Sequence, residues 1–197
     1  MRSKLVLLHF SSTHPENAMK HSNHTFRHAG LLLAGLCIGT AAQAQTAQAV
    51  LQDRAGQTVG EVRLTESPHG VLIHVSAKGL PPGPKGIHIH QVGTCDDGDK
   101  GFVASGAHLN PSAKKHGLMN PDGPDAGDLP NLIVHADGSV EVEMFSMLVS
   151  LKGQGGRAAL LDDNGAAFVV HENRDDHITQ PIGGAGARRY CGVVKPL

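Results

Sequence analysis

Tryptophan is absent from this chain of 197 residues, tyrosine occurs once and phenylalanine five times. With so few aromatic rings, the core has to be assembled from Val, Leu, Ile and Ala. Charge is scarce and nearly balanced, with 17 Lys+Arg against 18 Asp+Glu, which excludes the strongly basic surface that nucleic-acid partners demand. No apolar run approaches the ~20 residues needed to span a bilayer. The run that comes nearest, Leu31 to Ile38, ends well short of that length, so stable membrane insertion is not expected. Glycine, at 25 residues, implies many turns and favours an all-β domain over a helical one.

That short apolar run follows Lys20, Arg27 and several histidines, and precedes Ala42-Gln43-Ala44. Basic residues, an apolar stretch and small residues in that order are the layout of a signal peptide. Residues 1–44 are therefore expected to be a leader cleaved after Ala44, its functional start at Met1 or Met19. The bulky Leu36 before Cys37 argues against lipid attachment there. Export points to the periplasm, or to secretion. Residues 45–197, about 150 in number, have the usual size of one domain. They carry 13 Lys+Arg and 17 Asp+Glu, a net charge of −4. Only Cys95 and Cys191 remain in this domain, and in an oxidising compartment a disulfide is the default, two separate thiols being the other reading.

Short alternating segments run along the domain: Ala49 to Gln52, Thr58 to Leu64, Val71 to Ala77, Gly86 to His90, Asn131 to His135, Ser139 to Phe145, Leu148 to Lys152, Ala158 to Leu161, Ala167 to His171 and Tyr190 to Lys195. Pro81 to Pro84 reads as a turn. The pattern predicts an all-β Greek-key sandwich or flattened barrel of about eight antiparallel strands. Two stretches break it, Val92 to Pro130 and Glu172 to Arg189. Loops of that length usually carry function.

His88 and His90 stand two apart on an expected strand, so both imidazoles project from one face and can share a metal ion. Taken alone, such a pair is as well explained by two surface histidines. Its company changes the reading: His171 ends another strand near Asp175, while His108 and His116 share the long loop with Asp125 and Asp128. Imidazole suits copper and zinc, whereas thiolate-rich or all-oxygen clusters select other ions. His69, His74, His135 and His177 match no such grouping and are expected to be ordinary polar residues.

From about Ala49 onward these residues resemble the copper/zinc superoxide dismutases. Gly86-Ile87-His88-Ile89-His90, Gly106-Ala107-His108-Leu109-Asn110-Pro111, Lys115-His116-Gly117, Gly127-Asp128-Leu129, Val170-His171-Glu172 and Gly186-Ala187-Arg188-Arg189-Tyr190-Cys191-Gly192 look like that family's motifs, in its order. The resemblance implies copper held by His88, His90, His108 and His171, with His108 bridging to zinc as an imidazolate. It implies zinc on His108, His116 and Asp128, and Asp175 joining the two sites through hydrogen bonds to their histidines. Cys95 and Cys191 would pin the long loop to the barrel. Arg188 would line the channel to copper and attract superoxide, and His108 would also carry a proton. A homodimer and a copper donor are left open.

One position departs from the family pattern, for Asp125 stands where a third zinc histidine is usual. Carboxylate oxygen is a legitimate zinc ligand, so Asp125 either ligates zinc, weakens the site, or leaves copper alone. Arg188 and Arg189 are neighbours in extended chain and only one can face inward; the motif selects Arg188. Two other classes of function compete with an enzyme that converts superoxide to O₂ and hydrogen peroxide. One is a non-enzymatic protein that stores or delivers copper on the same fold; the other is a structural sandwich, which leaves the histidines without a purpose.

Overall fold

Alternation decides the first strands. In β1 (Thr46–Asp53) Ala47, Ala49 and Leu51 point inward; in β2 (Thr58–Ser67) Val62 and Leu64 do; in β3 (Gly70–Ala77) Val71, Ile73 and Val75 do. Side chains on a pleated strand alternate between faces, so one face is committed to the core. The computed structural model describes residues 44–197. The expected leader, residues 1–44, lies outside the described residues except for Ala44.

The chain continues through β4 (Gly83–Lys85), β5 (Ile87–His90), β6 (Leu132–Val134), β7 (Val140–Ser146), β8 (Val149–Ser150), β9 (Ala158–Ala159), β10 (Ala167–His171) and β11 (Arg188–Pro196). Seven strands form one antiparallel sheet in the order β5-β10-β11-β1-β2-β3-β7. Four of these eleven strands, β4, β6, β8 and β9, are only two or three residues long. Of these, β4 takes Gly83 and Pro84 out of the expected turn and pairs them with Val134 and Ile133 of β6. A proline is tolerated there because a two-stranded ribbon has a free outer edge. The pair β8 and β9 is parallel, an exception to the antiparallel pattern.

The sheet is curled around one apolar cluster, which collects Leu51, Ile73, Ile87 and Phe168 from the sheet, Leu132 from β6 and Leu151 from the turn after β8. A smaller cluster holds Cys95, Phe102, Ala167, Val169 and Cys191. Strand β10 serves both, giving Phe168 and Val170 to one and Ala167 and Val169 to the other. Burial on two faces explains why it reads as a continuous apolar run. Cys95 and Cys191 are disulfide-bonded with their Cα atoms 5.8 Å apart, which ties the long loop to β11.

β5 lies at one end of the sheet, and the loop of residues 92–130 turns back along its open edge. Ile89 N–H donates to Gly127 O (2.9 Å), Leu109 N–H to Ile89 O (2.8 Å) and Gln91 N–H to Ala107 O (3.0 Å). The loop thereby covers an edge that would otherwise be free to pair with another chain. Two isolated bridges result, His90 with His108 and His88 with Asp128. Gly127 permits the approach, since a Cβ there would lie 2.2 Å from Ile89 O.

Candidate metal centre

The two bridges place loop residues able to ligate a metal, His108 and Asp128, beside His88 and His90 of the strand. His88, His90, His108 and His171 are all buried, and each offers one nitrogen to a group whose atoms lie within 4.8 Å of one another. The ring bonds identify those nitrogens. His90 Nδ1 donates to Gly106 O (2.9 Å) and His171 Nδ1 to Gly186 O (3.0 Å). A carbonyl only accepts, so Nδ1 carries the proton and Nε2 presents a lone pair. In His88 the roles reverse, because Nε2 donates to Asp175 Oδ2 at 2.8 Å. The atoms left over are His88 Nδ1, His90 Nε2, His108 Nε2 and His171 Nε2, each buried with no hydrogen-bond partner among the described residues. Four buried orphan lone pairs in one place are costly unless a cation satisfies them, and an all-imidazole set fits copper.

A second group, His88, His108, His116 and Asp128, shares two members with the first. His108 faces both ways: Nε2 belongs to the imidazole pocket, while Nδ1 lies 3.0 Å from Asp125 Oδ2 and 3.6 Å from Asp128 Oδ1. His116 Nδ1 lies 2.5 Å from Asp128 Oδ1. Asp125 is thus turned into the cluster, and it is buried; its other oxygen accepts from Gly127 N–H at 2.9 Å. Nitrogen and carboxylate donors at this density match the chemistry of zinc. Asp175 spans the two groups, accepting from His88 Nε2 through one oxygen and from His116 Nε2 (3.1 Å) through the other.

Electrostatics separates the groups. Burial pushes the pKa of His88 down, pushes that of His90 well down with help from the nearby Arg188 charge, and takes that of His171 to about 3. These rings are held neutral, as ligands must be. For His108 and His116 burial acts in the same direction but is overcome. Hydrogen bonds and charge from Asp125 and Asp128 raise His108, and those from Asp128 and Asp175 raise His116 to about 10. Asp128 and Asp175, against their own burial, are held well below the usual carboxylate range by these histidines. The carboxylate side therefore strongly favours positive charge.

Arg188 owes its direction to a bulge. Along the β10–β11 ladder Val170 faces Tyr190 but His171 faces Arg188, so Arg189 is an extra residue on β11. Bulges re-aim side chains next to functional sites. Half-buried Arg188 donates from Nη1 to Phe102 O (2.7 Å) and Ser105 Oγ (3.1 Å), and from Nη2 to Gly106 O (2.8 Å). Arg189 points to solvent and pairs with Glu172.

Other contributors carry no signal in the sequence. Asn131 holds Asp175 from both ends of its backbone, receiving from Asp175 N–H and donating to Asp175 O, each at 2.8 Å. Gln180 clamps the backbone of His116. His177, expected to be an ordinary polar residue, lies against this framework, with Nε2 accepting from Asn131 at 2.9 Å and Nδ1 3.4 Å from Asp175 Oδ2. His69, His74 and His135 belong to neither group. Asparagine and glutamine are so common in loops that no spacing rule singles these two out.

Fold and site together define a metalloprotein, an antiparallel sheet whose edge and loops enclose adjoining imidazole and carboxylate clusters. A model of the copper/zinc superoxide dismutase family matches residues 58–194. A Cu-Zn superoxide dismutase of Caulobacter vibrioides is 53% identical over 151 residues, 76% of this chain and 86% of that protein. Another, from Aquifex aeolicus, is 40% identical over 169 residues, 84% and 97% of the two chains. Among solved structures, a SOD-like protein from Bacillus subtilis superposes with a TM-score of 0.70 at 43% identity, covering 74% of this chain and 96% of that one. The Cu/Zn superoxide dismutase from Brucella abortus gives 0.59 at 28% identity, covering 76% and 99%. The chain belongs to the copper/zinc superoxide dismutase family. It is an oxidoreductase of that kind, with copper and zinc as cofactors.

Proposed function

We propose that this protein disproportionates superoxide outside the cytoplasm, using copper held by His88, His90, His108 and His171. The observation that carries the reading is the convergence of four buried, unpartnered imidazole nitrogens on one place. Bound copper would supply a one-electron couple, taking an electron from one superoxide and giving it to a second. Atoms balance as two superoxide anions and two protons giving one O₂ and one hydrogen peroxide.

The chain's own groups do the rest. Arg188 attracts and orients the small anion, since a guanidinium remains charged across the physiological range and its carbonyl partners hold it in place. A net-negative domain needs such a local positive feature, and the handling of anions by local fields is where this family's speed originates. His108 Nε2 has a single lone pair, so it would hold either copper or a proton; in the second state it would deliver that proton to the reduced product, while Asp125 and Asp128 keep the Nδ1 side of the ring fixed. Zinc would sit among His108, His116, Asp128 and Asp125, with Asp175 transmitting its order to His88.

Export is supported by the leader layout of residues 1–44 and by the disulfide, which persists in oxidising compartments. Among the described residues no helix is long and apolar enough to cross a membrane. The periplasm is the compartment this reading favours. The test is superoxide consumption by the copper- and zinc-loaded domain of residues 45–197, together with its metal stoichiometry. Full copper occupancy without superoxide consumption would sink the enzymatic reading in favour of copper storage.

A further inference from the structure

We propose that Ser105 is a positioning residue that locks Arg188 to the copper-side histidine His90, and so sets the affinity of the site for small anions. The proposal rests on the anion-binding role given to Arg188 above. Ser105 is fully buried, and its hydroxyl makes three contacts: it donates to Phe102 O (2.8 Å), and it lies 3.1 Å from Arg188 Nη1 and 3.2 Å from His90 Nδ1. One hydroxyl has one proton to give and two lone pairs to offer. The proton goes to the carbonyl, so the lone pairs face two N–H groups, one from the arginine and, as the longer branch of a bifurcated bond whose shorter branch goes to Gly106 O, one from the imidazole.

Gly106 O repeats the arrangement, accepting from His90 Nδ1 at 2.9 Å and from Arg188 Nη2 at 2.8 Å. The guanidinium and the imidazole are thus fastened to the same two acceptor atoms. Phe102 O receives from both Ser105 Oγ and Arg188 Nη1. Both protons of Nη1 are consumed inward, which leaves Nε–H and one Nη2–H free of these anchors. Without the hydroxyl, one Nη1 proton loses its acceptor and the fork is held by carbonyls alone. Its orientation toward the anion then loosens, while the lone pair of His90 Nε2 is untouched.

The experiment measures azide, a small linear monoanion that ligates Cu(II), by optical titration of the copper- and zinc-loaded protein. Ser105→Ala, Arg188→Lys and the double variant are compared with the parent at matched copper content. Ser105→Ala is expected to raise the azide Kd by about five- to tenfold, the worth of one ordinary hydrogen bond. In the Arg188→Lys background it should add less than about twofold, because residues acting through one another are not additive. Ser105→Thr, which keeps the hydroxyl, should restore most of the affinity. An unchanged azide Kd in Ser105→Ala, with Arg188→Lys weakened, overturns the role of Ser105. Full additivity of the two substitutions does the same, since Ser105 would then act elsewhere. If Arg188→Lys itself leaves azide binding intact, the failure lies in the proposed function of Arg188. Thermal melts of each variant separate a folding defect, which lowers Tm without an azide effect confined to the Arg188 background.

Discussion

His171 faces Arg188 across the β10–β11 ladder, one residue out of the register that Val170 and Tyr190 establish. A regular ladder would put Arg189 in that place. The bulge therefore turns the first arginine toward the imidazole pocket and releases the second to solvent, where it pairs with Glu172.

Opposite effects are expected from the two arginines. Arg188→Glu should cut kcat/KM by roughly ten- to a thousandfold, the range that local steering fields supply, with copper content unchanged. Arg189→Glu should change it by less than about threefold, as for other exposed ion-pair residues. Pulse radiolysis at low and high salt checks both, and equal losses would contradict the assignment.

Metal content should divide along the two clusters. His171→Ala removes a nitrogen from the imidazole group alone, so copper stoichiometry and activity should collapse while zinc stays bound. Asp125→Ala removes an oxygen 3.0 Å from His108 Nδ1 and should lower zinc content while leaving copper near its parental level. Elemental analysis of the two purified variants decides, the reverse pattern exchanging the assignments.

How much of this was legible differs from residue to residue. The common facing of His88 and His90 follows from the pleat alone. The approach of His108 and Asp128 does not, because it depends on a loop returning along the β5 edge through backbone bonds that any residue type can make. Motif order pointed to them where periodicity was silent. Ten short apolar segments marked most of the strands, yet the parallel pairing of β8 with β9 rests on two residues each and leaves no pattern. The inward choice of Arg188 came from a motif, and its cause, a slip of one residue, lies outside any alternation rule. Ser105 and Asn131 were invisible as site residues, since a serine in a loop or an asparagine opening an expected strand is ordinary until its partners are known.

The disulfide should matter for stability as well as loop placement. Cys95 and Cys191 are 96 residues apart in sequence, and closing a loop of that size restricts the unfolded chain by about 4 to 5 kcal/mol. The pair is buried against Phe102 and Val169, so reduction also loosens the segment whose carbonyl holds Arg188. Cys95→Ser is expected to lower unfolding stability by about 2 to 5 kcal/mol and to weaken azide binding. Urea denaturation with an unchanged midpoint would show that the bridge is dispensable.

Stripped of metal by a chelator, the protein should show a stability maximum near neutral pH, because its buried histidines are shifted in both directions. His116 is raised from 6.5 to about 10 by Asp128 and Asp175 acting against burial. Its contribution is fully present below pH ~6.5, the unfolded value, and is lost as pH rises through about 10. His171 is lowered to about 3 by burial, and His88 and His90 are lowered as well. The unfolded chain takes up protons at these three below pH ~6.5 while the folded chain resists, so stability falls on the acid side. Asp128 and Asp175, both depressed, extend the loss: their contribution is present above the unfolded carboxylate value near ~3.9 and disappears as pH drops further. Denaturant midpoints from pH 3 to 10 test this, and a stability that rises steadily from pH 7 to pH 4 would contradict it. Restoring copper and zinc should flatten the profile between ~5 and ~8, since the metals bind only the folded chain and occupy the nitrogens for which protons compete.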